Sequence, residues 1–85
     1  MFWRFKKLPL TKEQIRAEMG ELISEDEFIH YYRGLKRACL TGGPMISGFN
    51  VNYDDGLTDG LLLRQGAERW SEYIANQKMA RGIEQ

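Results

Sequence analysis

Between Ser24 and Leu40 the apolar positions repeat with the period of an α-helix. Placed at 100° steps, Phe28, Tyr31, Tyr32, Leu35, Ala38 and Cys39 fall within an arc of roughly 120°. Ser24 with Glu27 makes a capping box ahead of them: the hydroxyl accepts an orphan backbone N–H while the carboxylate reaches back. Glu25, Asp26 and Glu27 suit the positive end of a helix dipole. Arg33, Lys36 and Arg37 suit the negative end, and Gly42-Gly43-Pro44 stops the helix.

Two further helices are read from the same signals. Thr11 with Gln14 is a capping box, and Ile15, Met19, Leu22 and Ile23 share a stripe roughly 100° wide. Gly20 inside that stretch weakens it by up to ~1 kcal/mol relative to Ala, which predicts a short helix. A third is expected from Thr58 or Asp59 to about Met79. There Leu62, Leu63, Gly66, Ala67, Trp70, Tyr73 and Ile74 occupy roughly 140° of arc. Residues from Arg81 onward are expected to fray.

Phe49, Val51 and Tyr53 alternate with Asn50, Asn52 and Asp54, the period of a half-buried strand, and Asp55-Gly56 follows as a turn signal. The β-prone segment Phe2-Trp3-Arg4-Phe5-Lys6 is its candidate partner. A two-stranded ribbon over residues 2–6 and 48–53 is marginal unless packed on the helices. The alternative for both segments is extended loop. The expected fold is therefore a mainly α, small three-helix domain spanning 1–85, with a short β ribbon or an extended cap.

Length and composition support a single folded unit: 85 residues, 42% hydrophobic, suffice for one core and no second domain. Twelve Lys+Arg balance twelve Asp+Glu, so no global field draws the chain to nucleic acid or anionic lipid. The charges are nevertheless blocked. Glu21, Glu25, Asp26 and Glu27 precede Arg33, Lys36 and Arg37, and these precede Asp54, Asp55 and Asp59. No stretch reaches the ~18 apolar residues of a membrane span, and the N-terminus lacks a signal-peptide core, so a cytoplasmic location is expected.

The chemistry-bearing residues are sparse. Cys39 is the single cysteine and His30 the single histidine, too few for a structural zinc site. Nine residues apart on one helix, they point to opposite faces. Cys39 is expected in the core and His30 in solvent, beside Asp26 or Glu27. The acidic run from Asn50 to Leu61 fails as a calcium loop, because Asp55 stands where glycine is required and Leu61 where a bidentate acid is required. No phosphate-binding glycine pattern or nucleophile elbow is present. No catalytic residue, metal or cofactor is expected.

Binding is the remaining class. A helix-turn-helix reading fails because Glu25, Asp26 and Glu27 would face DNA. On the second helix Ile29 and Leu40 lie about 100–120° from Phe28, outside the core stripe and among Arg33, Lys36 and Arg37. Two apolar residues inside a basic rim fit a protein interface. Its acidic counterpart is Asp54, Asp55 and Asp59, which also allows a homodimer, and an open edge at 49–53 would allow docking by strand addition. The expected function is a non-catalytic small protein that docks on a larger protein and modulates or inhibits it. Accessory and inhibitor proteins of bacteria and their phages have this size and lack of motifs. The alternative is a module for single-stranded nucleic acid or RNA, using Trp3, Arg4, Lys6, Lys7 and His30 with the basic strip.

Overall fold

The computed structural model describes residues 7–43 and 47–83. It is mainly helical, with four α-helices among the described residues: α1 (Lys12–Met19), α2 (Glu25–Thr41), α3 (Val51–Gln65) and α4 (Ala67–Ala80). A 3-10 turn, Gly20–Leu22, links the first two. Both predicted capping boxes form. Gln14 N–H donates to Thr11 Oγ1 at 3.1 Å while Thr11 N–H donates to Gln14 Oε1 at 2.8 Å. Ser24 and Glu27 repeat the exchange at 3.0 and 3.2 Å. α1 is short, as Gly20 suggests: it ends at Met19, with Gly20 at φ 52°.

The third predicted helix is two helices. α3 begins at Val51 rather than at Thr58 or Asp59, and the run breaks at Gly66, whose extended backbone carries no helical turn. Gly66 N–H still closes onto Leu62 O and Leu63 O, and Trp70 N–H starts α4 on Gly66 O. The break therefore leaves few backbone groups without partners.

The predicted strand over 48–53 is also corrected, since no strand occurs among the described residues. Asn50 Oδ1 accepts N–H bonds from Asn52 and Tyr53 at 2.9 and 3.1 Å, so the alternating segment is a helix N-cap with its first turn. Its intended partner, residues 2–6, lies outside the described residues, as does Pro44. The expected fraying from Arg81 is replaced at 81–83 by a closed terminus. Gly82, at φ 74°, donates to Met79 O, and Ile83 N–H donates to Lys78 O at 2.9 Å, the paired bonds of a Schellman motif.

Two kinds of packing hold the helices together. Ile15, Phe28, Tyr31, Leu35, Cys39, Leu63, Trp70 and Ile74 form a continuous core. Full burial of such a side chain contributes ~1.5–3 kcal/mol. α2 and α3 meet differently, backbone to backbone. A methyl group on Gly34 would overlap the Tyr53 carbonyl, one on Gly56 the Tyr31 carbonyl, and one on Gly60 would sit 2.5 Å from Leu35 O. Gly34 and Ala38 on α2, and Gly56 and Gly60 on α3, lie one turn apart and share the contact faces. Small residues at this spacing let helix backbones approach closely.

Candidate functional site

The outer face of α2 carries the predicted docking residues. Ile29 is 55% exposed, Arg33, Lys36 and Arg37 are exposed, and Leu40 is half-buried. Ile29 and Leu40 share an azimuth but stand eleven residues apart, about 16 Å along the axis, so they mark two ends of a strip. Ile29 borders a shallow groove with Arg16, Glu25 and Phe28. Leu40 borders another with Leu8, Pro9, Leu10 and Tyr32.

A neighbouring element that sequence reasoning assigned to a strand enlarges this surface. Arg37 Nη1 donates to Tyr53 Oη at 3.1 Å, and the Tyr53 ring meets Phe49 edge-to-face at 5.9 Å. Phe49 is 74% and Val51 75% exposed. The turn that carries Phe49 is held by one carboxylate. Asp54 Oδ1 accepts from Ser47 N–H at 2.9 Å and from Ser47 Oγ at 2.6 Å, and Asp54 Oδ2 accepts from Gly48 N–H at 2.9 Å. These bonds hold the Asp54 carboxyl below its ordinary range. Phe49 thus projects into solvent from an ordered support, beside a basic strip.

The nucleic-acid set is not assembled in the same way. Trp3, Arg4 and Lys6 lie outside the described residues, and Lys7 is exposed. His30 is half-buried, and its Nδ1 is buried with no hydrogen-bond partner, which corrects the expected surface pairing with Asp26 or Glu27. Cys39 is fully buried in the core, where desolvation pushes its thiol up and the Arg64 charge partly opposes that. Arg64 Nη1 also donates to Cys39 O at 2.9 Å, on the carbonyls that end α2. Nine residues separate Cys39 from His30, about 13 Å along the helix.

On another side of the molecule a cleft of about 390 Å³ opens between α2, α3 and α4. At its floor Trp70 Nε1–H donates to Tyr31 Oη at 3.1 Å, and Tyr31 O–H donates to Asp59 Oδ2 at 2.7 Å. Desolvation, aided by the Asp55 charge, raises the Asp59 carboxyl to about 6, against the stabilising Tyr31 hydrogen bond. Burial first, then the Asp59 charge, holds the Tyr31 hydroxyl far above its ordinary range. Asp54, Asp55 and Asp59, expected as one acidic patch, are thus split: a turn anchor, a rim residue and a floor residue. Sequence spacing offered no sign of this relay, because its members are 28 and 39 residues apart.

No group of three His, Cys, Asp or Glu side chains suited to a metal occurs among the described residues. No protein-family model matches the chain, and neither does any curated protein or solved structure.

Proposed function

We propose that this protein is a non-catalytic binding module that docks on an acidic face of a larger protein and modulates or blocks it. The observation that carries the reading is Phe49, 74% exposed yet held by the Ser47–Asp54 bonds and seated against Tyr53. Protein hot spots favour aromatic and arginine anchors that are ordered before binding, since that lowers the entropy lost on association. Phe49 and Tyr53 provide the anchor. Arg37, Arg33 and Lys36 provide the rim, and their charge selects a negative partner surface. Ile29 and Leu40 extend the strip along α2.

The test is capture of a single partner from host lysate, followed by binding measured between the purified proteins. Phe49→Ala and Arg37→Glu are expected to weaken binding at least about tenfold while preserving helicity. Met79→Ala, on a different exposed site, is expected to leave it unchanged. Equal binding by all three variants would overturn the reading. The nucleic-acid alternative draws support from Arg37 bonded to Tyr53, whose ring meets Phe49, and from the exposed cations Lys7, Arg33 and Lys36. It requires steeply salt-dependent binding of single-stranded oligonucleotides.

A further inference from the structure

On the outer face of α2, Glu25, Ile29 and Arg33 form one row, each four residues and about 6 Å along the axis from the next. All three are exposed, Ile29 at 55%. The row has an apolar centre with an acid and a base at equal distances on either side. Beside it, toward α1, a shallow groove adds the apolar groups of Ala17 and Phe28. Gly34, where the α3 backbone packs, lies five residues on and about 140° around the helix from Ile29. Tyr53, and the Phe49 ring set against it, therefore occupy another flank of α2.

We propose that this row pairs with the same row of a second copy of the chain, in an antiparallel two-fold contact centred on Ile29. A two-fold axis at Ile29 sets Glu25 of each copy opposite Arg33 of the other, and the two Ile29 side chains meet between them. Two acid–base pairs then flank one apolar centre, the centre-and-rim order of a protein interface. Parallel pairing would instead oppose Glu25 to Glu25 and Arg33 to Arg33, which like-charge repulsion disfavours. A second copy is the occupant because the row is its own complement: acid and base stand equally far from the apolar residue they share. Twelve Lys+Arg against twelve Asp+Glu also leave no net charge to hold two copies apart. The contact is small, so a Kd on the order of 10–100 μM is expected. The pairing stands independently of the docking reading, whose anchor, Phe49, lies outside it.

Sedimentation velocity of the full chain, over about 5 to 500 μM protein, tests the pairing. The parent is expected to pass from monomer to dimer across that range. Ile29→Asp places a charge at the centre of the contact from an already exposed position, and is expected to stay monomeric with unchanged helicity. Phe49→Ala is expected to dimerise like the parent. Glu25→Arg gives the row two bases and Arg33→Glu gives it two acids, so each alone is expected to weaken dimerisation at least about tenfold. Mixed in equal amounts, these two variants bring opposite charges together at both ends, and a heterodimer is expected at parent-like concentrations. The proposal is overturned if the parent stays monomeric throughout, if Ile29→Asp dimerises like the parent, or if Phe49→Ala does not dimerise. Failure of the mixture to pair, with both variants folded by circular dichroism, would overturn it too.

Discussion

Gly56 lies so close to the Tyr31 carbonyl that a single methyl group at its Cα would overlap that oxygen. In an exposed helix interior, Gly→Ala stabilises by about 1 kcal/mol. Here the added carbon meets backbone, which cannot rotate away, so overpacking outweighs propensity. Gly56→Ala is expected to destabilise by on the order of 3 kcal/mol or more, measured by urea unfolding monitored by circular dichroism. Gly43→Ala, where a Cβ meets nothing within 4 Å, serves as the control and is expected to be near neutral.

Asp59 predicts a pH dependence with a definite sign. Its carboxyl stands near 6 in the folded chain against an ordinary 3.8, so the folded state binds the proton more tightly than the unfolded one. The stability from this group is complete below about pH 4 and is lost as the pH rises to about 6. Discounted for partial solvent access, the loss is on the order of 2 kcal/mol. Asp54 and Glu27, both held low by hydrogen bonds, act with the opposite sign: their contribution is lost on acidification below their ordinary values. Asp59→Asn should therefore be more stable than the parent at pH 7 and show a flatter profile between about pH 4 and 6. Tyr31→Phe removes a donor that favours the ionised carboxylate, and should move the Asp59 titration upward in a carboxyl NMR experiment.

Phe49→Ala separates docking from folding. With 74% of the ring already in solvent, its truncation should alter the unfolding free energy by no more than about 0.5 kcal/mol. A larger loss would mean that Phe49 supports the fold and is not free to anchor a partner. Asn50→Ala, one residue away, is expected to cost about 1 kcal/mol because it removes the α3 cap.

Cys39 is expected to resist thiol reagents in the native chain and to react at once in denaturant. Its side chain is fully buried, and burial also raises its pKa, so little thiolate forms. Rapid labelling of the native protein at about pH 8 would show that the core around α2 opens readily.

Two capping boxes and the α2 core stripe were legible in the amino-acid order, and so was the burial of Cys39. Each depends on residues within one or two helical turns. Thr11 finds Gln14, Ser24 finds Glu27, and a stripe of apolar side chains declares which face is covered. The second half of α3 was legible as helix, but its first half, from Val51 to Leu57, was not: Gly56 at the contact with α2 adds no apolar side chain to a stripe. The Asn50–Tyr53 alternation looked like a strand since cap chemistry and period-2 polarity coincide over so few residues. Tertiary structure alone decided the break at Gly66, the Trp70–Tyr31–Asp59 relay and the cleft above it. These follow from contacts made once the chain has closed on itself, where the decisive quantities are clearance, burial and hydrogen-bond reach rather than periodicity.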